Sequence, residues 1–360
     1  MRRTFLALLT GVAAACGGGS HQSTTPPPPL PETKAETPAP APTPDADKPA
    51  ETAKAPEPPA GPVEVTLKAP QSTVKLVSPG KGKRVALKLT PKPGDKAPVE
   101  IAMDFSGKTT APAELGGTQE QVAPTVVLGG LLETQDVAAD GAKFQVTVDN
   151  IDARDVTGSK TPAAEFKKNL QSLAGMTIAG SVNGNGSTSD LTLRVAKPDA
   201  ASAEALGLIH LSLLPMWPVL PTEPVAPGAK WQVTTTQKLA DQLDVTQTTD
   251  YQLVSHKGGA WTIKGTTKIT GTDQDITQTD PKTGKKGPQT TIGKIAGTGT
   301  TEATISDGTL TPASTQKLET TFEATVTGPP GQDGKPQTIS LKFELKQGNA
   351  VTSKTASAQK

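Results

Sequence analysis

Apolar and polar residues alternate one by one along several stretches of this chain, and this alternation constrains the fold more than any other feature. Residues 143–148, KFQVTV, place three apolar side chains on one side and three polar ones on the other. Residues 261–269 and 339–346 repeat the pattern. Successive side chains of a strand point to opposite faces, so a period of two indicates half-buried strands of an antiparallel sheet. The sequence predicts a mainly β fold.

Shorter runs of the same kind are separated by turn residues, as at Asn183–Gly186 and Lys257–Gly259. We therefore expect about a dozen strands or more, joined by hairpin turns in one large curved, half-barrel-like antiparallel sheet. The additional predicted strands lie near residues 63–67, 85–89, 99–105, 125–132, 191–195, 231–235, 245–254 and 318–326.

Two segments break the alternation and predict helices. In the first, Thr161 supplies an N-cap and Pro162 a first-turn proline, and Phe166, Leu170 and Leu173 follow at helical spacing. The second begins near residue 199 and ends at residue 215. Its apolar residues occupy nearly all sides of the helix, which indicates burial on several faces. They are Leu206, Leu208, Ile209, Leu211, Leu213 and Leu214.

Short motifs recur in the same order in two parts of the chain. The sequence IAGS at 178–181 matches IAGT at 295–298, and each is followed by a Ser-Asp pair. We therefore predict two duplicated halves, 63–198 and 225–350, joined by the apolar helix and a Pro-rich segment, 199–224. Chance similarity in a chain rich in Thr and Gly is the alternative. The expected domain is 63–350, followed by a flexible tail, 351–360.

The N-terminus has the features of a secretory signal that ends at the chain's one cysteine, Cys16. A basic start precedes an apolar run of about a dozen residues, which is shorter than the roughly 20 needed to cross a bilayer. The small residues before Cys16 resemble the lipobox of bacterial lipoproteins, although Ala13 stands where that family usually has Leu. The resemblance implies a signal peptide over 1–15 and acylation of Cys16. An ordinary cleavable signal with a free thiol is the alternative.

Residues 16–62 follow as a stretch rich in Pro, Ala, Thr, Glu and Lys. Such a segment buries too little apolar surface to fold, so we expect a disordered tether that can extend on the order of 100 Å. The residues after Cys16 are Gly17 and Gly18, without the aspartate that retains some lipoproteins in the inner membrane. The resemblance therefore implies anchoring in the outer membrane, facing the periplasm or the cell surface.

Charge and side-chain chemistry favour a non-catalytic protein. With 36 basic and 35 acidic residues, the chain lacks the charge excess typical of nucleic-acid binding. His21, His210 and His256 show neither the paired spacing nor the cysteines of a metal site, and no serine elbow accompanies them. The carboxylates at 149, 152 and 155 lack calcium-loop spacing. We expect no metal, no cofactor and no enzymatic activity.

The segment LLPMWPVLPTEPVAPGAKW, residues 213–231, contains the motif Pro-Val-x-x-Gly-x-x-Trp. It resembles the signature of an uncharacterised family of bacterial lipoproteins. The surrounding order of strands also fits that family, and in architecture the domain is similar to periplasmic lipoprotein carriers and related lipid-binding lipoproteins. That resemblance implies a curved sheet wrapped around helices and an apolar cavity, although a fold alone does not fix a function.

Two hypotheses follow. In the first, the membrane-anchored domain binds a lipid or other apolar molecule between the sheet and the second helix. In the second, it has a filled core and serves as a structural or interaction domain whose partner is an envelope protein. The candidate ligand-binding residues of the first hypothesis are Leu206, Ile209, Leu213, Trp217, Trp231 and Trp261.

Overall fold

The computed structural model describes residues 61–198, 209, 216–239, 243–279, 286–330 and 336–353. The predicted signal peptide, Cys16 and nearly all of the tether lie outside them. The described residues form one 16-stranded antiparallel sheet with one α-helix, which confirms the mainly β fold. The strands are β1 (Val63–Leu67), β2 (Gln71–Ser78), β3 (Lys96–Thr110), β4 (Thr118–Val122), β5 (Thr125–Ala138), β6 (Gly141–Arg154), β7 (Thr177–Asn183), β8 (Leu191–Val195), β9 (Lys230–Leu239), β10 (Leu243–Lys257), β11 (Ala260–Gly271), β12 (Gln274–Thr279), β13 (Lys286–Ile292), β14 (Ile295–Ser306), β15 (Ala313–Pro330) and β16 (Pro336–Ser353).

Most neighbours in the sheet are also neighbours in the sequence. The order is β1-β8-β7-β6-β5-β3-β16-β15-β14-β11-β10-β9-β2, with β4 on β3 and β13 joining β12 to β15. Tight turns make this possible: Gly258 and Gly259 both have positive φ, as a two-residue hairpin between β10 and β11 requires. β3 and β16 pair in the middle and join the earlier strands to the later ones.

The sheet curls so that its two edge strands approach each other at one place. Among the described strands, β1 pairs with β8 alone and β2 with β9 alone, so two strands that are consecutive in sequence lie at opposite edges. Residues 68–70 connect them and can span at most about 14 Å. The edges therefore approach each other there, although β1 and β2 do not pair and the sheet is not closed. We call residues 68–70 the seam.

A Pro-rich segment, residues 216–229, closes one end of the curled sheet, and we call it the plug. Val225 exchanges two backbone hydrogen bonds of 2.8 Å with Val85. The amide of Leu220 donates to the carbonyl of Asn185, and that of Gly228 to the carbonyl of Leu253, each at 2.7 Å. The plug is thereby tied to strand ends on both sides of the sheet.

The enclosed face carries two apolar clusters. The large cluster surrounds the plug and contains, among others, Phe144, Trp217 and Trp231. The small cluster lies towards the other end of the later strands, where the rings of Phe322 and Phe343 stack with centroids 4.9 Å apart. The gap between these clusters is where the candidate site lies.

The helix α1 (Ala163–Leu170) continues into a 3-10 turn, Gln171–Leu173, and packs on β6, as predicted. Its start differs from the prediction, because Thr161 does not cap it. The carboxylate of Asp155 accepts the first helical amide, from Ala163, at 2.8 Å. A second 3-10 turn spans Ala113–Leu115. The predicted second helix lies outside the described residues except for Ile209, which is helical and buried.

Two strand boundaries also differ from the prediction. Residues 85–89 form no strand, because after Val85 bridges to Val225 the chain crosses the end of the sheet, with Leu87 and Leu89 buried. At the C-terminus, β16 runs to Ser353, beyond the expected end of the domain at 350. Val351 lies opposite Ile101 of β3 and is buried, so pairing continues into the predicted tail. The proposed duplication stays a prediction.

Candidate ligand-binding cavity

A cavity of about 530 Å³ lies between the plug, the seam and the enclosed face of the later strands. This volume falls in the range typical of small-molecule sites, roughly 300–1,000 Å³. The plug contributes residues 216–219 and the seam residues 68–70. The strand residues in its wall include Phe105, Val233, Leu243, Val245, Gln247, Thr249, Tyr251, Ile269, Ile295, Thr301, Ser314, Gln316, Leu318, Thr320, Phe322, Leu345 and Gln347.

Small residues occupy several inward positions of β14 beside the cavity. The enclosed face of this strand presents Gly297, Gly299 and Thr301 between Ile295 of the small cluster and Ala303 near the large one. At Gly299 an added Cβ would overlap the side chain of Leu318 on β15, so glycine is needed for the close approach of these strands. The alternating pattern therefore continues through this strand, but its inward positions do not fill the interior.

Polar side chains cross the same face in a row. Thr301 on β14 lies opposite Gln316 on β15, which lies opposite Asn349 on β16. We call these three residues the polar row. Beside it, Thr249 and Thr267 share a hydrogen bond of 3.0 Å between their hydroxyls. The cavity wall is thus apolar at its two ends and polar across its middle.

The interior groups are uncharged. Burial raises the pKa of Tyr251 to about 12, so its phenol is neutral at physiological pH. The ring of Tyr251 stacks on Trp231 with centroids 5.5 Å apart, which fixes one side of the wall. The charged residues of the cavity wall, Lys68 and Asp244, are exposed at the rim of the cavity.

An ion pair clasps the seam. Asp190, at the start of β8, accepts hydrogen bonds from the Lys68 ammonium at 2.6 Å and from the Ala69 amide at 2.9 Å. The hydrogen bonds from Lys68 and then from Ala69 hold the pKa of Asp190 below its usual 3.8. The same contact raises the pKa of Lys68. The clasp thereby attaches the seam to the earlier strands beside the cavity.

Only some of the ligand residues predicted from the sequence lie at the cavity. Trp217 lies in the cavity wall. Its ring packs against that of Phe144 with centroids 4.9 Å apart, and its indole N–H donates a hydrogen bond of 2.7 Å to the Leu310 carbonyl. Trp231, Trp261 and Ile209 are buried in the large cluster. Leu206 and Leu213 lie outside the described residues.

The polar wall was missed by the sequence reasoning. Gln316 and Thr301 sit at inward positions of strands whose other inward residues are mostly apolar or small. A polar residue in phase with the buried face of a strand is the signal that would have identified them. The prediction concentrated on apolar and aromatic residues instead.

Neither a metal cluster nor a membrane-spanning helix is found in the described part of the chain. Among those residues, no three His, Cys, Asp or Glu side chains converge as metal ligands would. None of the described helices has the length and apolar character needed to cross a membrane. His256 is 3.8 Å from Asp307 and edge-on to Trp261 at the end of β10, away from the residues that line the cavity.

Comparisons with known proteins locate one similarity. Residues 209–309, which include the plug and β9–β14, match a family of unknown function, DUF6263. No curated protein matches the chain. Among solved structures, the outer membrane protease OmpT from Escherichia coli is matched over 72% of this chain and 96% of that chain, with 8% sequence identity. The TM-score of 0.18 is too low to indicate a shared fold. Over residues 209–309 the chain is therefore similar to an uncharacterised family, as its proline-rich motif predicted.

Proposed function

We propose that this chain is a cell-envelope lipoprotein, anchored through Cys16, whose curled sheet binds a lipid or other apolar molecule without catalysis. The cavity of about 530 Å³ carries this proposal. A domain that served only as a structural or interaction module would be expected to fill its interior with side chains, since protein cores are normally close-packed. The bound molecule would lie beside Trp217 and beneath the plug.

The wall supports binding of a long and partly apolar molecule. Aromatic and aliphatic side chains such as Phe105, Leu318 and Phe322 extend from the plug towards the small cluster. An apolar pocket with a few polar groups is typical of small-molecule sites. No reactive pair or metal centre has been identified in this wall, so holding or carrying the molecule is the role that the geometry favours.

The anchor is supported by sequence alone. The signal-like segment 1–15, the solitary Cys16 and the tether that follows would place the cavity away from the membrane surface on a flexible arm. Mass spectrometry of the mature N-terminus should find a diacylated and N-acylated Cys16. An unmodified N-terminal residue would contradict the lipoprotein part of the proposal and leave the cavity unaffected.

Binding can be tested on the full chain carrying Cys16→Ser, which removes the expected acylation. The protein is expressed in a bacterial host, purified without detergent and analysed by native mass spectrometry and solvent extraction. We expect about one amphiphile per chain. A folded chain with nothing bound would contradict the binding proposal and favour the structural or interaction alternative.

A pair of neighbouring variants locates the bound molecule. Thr320 lines the cavity, whereas the next residue, Thr321, is exposed on the outer face of β15. Thr320→Phe should fill part of the cavity and reduce the amount of co-purified amphiphile several-fold, and Thr321→Phe should leave it unchanged. Equal occupancy in both variants would place the molecule elsewhere.

A further inference from the structure

The polar row contains buried atoms that no described residue satisfies. The Thr301 Oγ1, the Gln316 Oε1 and both amide atoms of Asn349 are without a hydrogen-bond partner among the described residues. These three side chains are only 7%, 7% and 8% exposed. An unpaired buried hydroxyl or amide is costly, and buried polar groups are nearly always paired. Three such residues side by side therefore indicate that something in the adjoining space supplies partners.

The adjoining space is the cavity itself. Thr301 and Gln316 both lie in its wall, and Asn349 is the next residue across the sheet. Water can satisfy such groups, but the apolar residues that follow Gln316 on the inward face of β15, Leu318 and Phe322, favour a molecule that is mostly hydrocarbon. The row would then meet a polar group located partway along that molecule or at its end.

The wall also limits the charge of that group. The lining side chains that carry charge, Lys68 and Asp244, are at the exposed rim, and Lys68 is already paired with Asp190. An ionised group beside Gln316 would be taken out of water without a counter-charge, which is strongly unfavourable. The polar row therefore suits a neutral group.

We infer that the cavity takes an uncharged amphiphile whose amide or hydroxyl group pairs with Thr301 and Gln316. The Gln316 Oε1 requires a donor, so the group must offer an N–H or O–H, and the Thr301 hydroxyl can pair with either a donor or an acceptor on it. This inference rests on the proposed function and specifies the class of ligand.

Three probes with the same hydrocarbon chain separate the alternatives. Lauramide is neutral and has both a donor and an acceptor, methyl laurate is neutral with acceptors alone, and laurate is ionised. Binding to the full chain carrying Cys16→Ser is measured by isothermal titration calorimetry at neutral pH. Lauramide should bind about tenfold more tightly than either of the others, as expected for one or two additional hydrogen bonds.

Two pairs of variants test the assignment to the polar row. Gln316→Leu should abolish the preference for lauramide over methyl laurate, whereas Gln252→Leu, on the outer face of β10, should retain it. Thr301→Val should reduce the preference, and Thr300→Val, exposed on the same strand, should not. The threonine pair decides the question if Gln316→Leu does not fold, as judged by circular dichroism.

The outcomes distinguish this inference from the function on which it rests. Binding of all three probes with equal affinity, tighter binding of laurate, or an unchanged preference in Gln316→Leu and Thr301→Val would overturn the inference while leaving apolar binding in place. If none of the probes binds to the folded chain, both the proposed function and the inference are wrong.

Discussion

Among single residues, Trp217 has the clearest structural role, because its indole connects the plug to Phe144 of β6 and to the turn between β14 and β15. Trp217→Phe keeps an aromatic ring against Phe144 but leaves the carbonyl of Leu310 without its donor. We expect the free energy of unfolding to fall by about 1–3 kcal/mol in urea titrations. Trp261→Phe is the matched control, since its indole N–H has no partner among the described residues. An equal loss in both variants would contradict the role of the hydrogen bond.

Gln316 leads to the opposite expectation for stability. Its Oε1 is buried without a partner among the described residues, so in the absence of ligand Gln316→Leu should raise the free energy of unfolding by about 1 kcal/mol. Denaturant unfolding of the ligand-free protein measures this, with Gln252→Leu as the exposed control. A loss of stability in Gln316→Leu would mean that the glutamine serves the fold rather than a ligand.

The candidate residues show what a sequence can and cannot identify at this scale. Trp217 is a candidate from the sequence because it ends the apolar cluster that begins at Leu206, and it does line the cavity. Gln316 is a polar residue in phase with the buried face of β15, which marks it as unusual, but the alternation does not show whether the inward residues of that strand meet a filled core or an open cavity.

At the scale of elements, the plug depends on a glycine that precedes it by more than a hundred residues. Gly80 has φ of +80°, and a Cβ at this position would collide with the carbonyl oxygen of Ala226 in the plug. Gly82 also has positive φ, but an added Cβ there meets nothing within 4 Å. Gly80→Ala should therefore lower the unfolding midpoint in urea more than Gly82→Ala. Gly82→Ala introduces backbone strain alone, which costs about 1–3 kcal/mol of folding free energy. Equal losses would show that the plug can move away at little cost.

Strand positions were largely predictable because a sheet with one buried face imposes its period on the sequence. β8 matches its predicted range, Leu191–Val195, and the hairpin at Gly258 was evident from its paired glycines. The predicted strand at 85–89 was wrong, because the alternating leucines of this segment are buried where the chain crosses the end of the sheet and do not pair with a strand. A two-residue period reports burial on one side, whichever partner provides that burial.

For the whole molecule, the seam is the place where the curled sheet depends on electrostatics. The Lys68 hydrogen bond holds the pKa of Asp190 below 3.8 in the folded chain, so its stabilising contribution is present above that pH and is lost as the pH falls through the lowered value. Thermal unfolding of wild type and Asp190→Asn should differ at neutral pH and converge under more acidic conditions. Both groups are exposed, so high salt should also reduce the difference. A difference that persists in acid would contradict this assignment.

The sequence predicted a curved sheet, but not that two strands adjacent in sequence would form its opposite edges. A strand was predicted at 63–67 but not at 71–78, and two strands with so short a connection would usually form a hairpin. The structure instead places β1 and β2 at opposite edges, because β8 and β9 provide their partners. Such pairings between distant segments leave no local trace in the sequence.

The central pairing of β3 with β16 has a consequence for how the chain reaches its final form. These strands come from opposite ends of the domain, so β3 keeps one long edge unpaired until the last strand has been made. An exposed strand edge is a template for unwanted association. If the chain is exported from its N-terminus as proposed, β3 emerges long before β16, and its edge stays open to association with other chains until β16 follows.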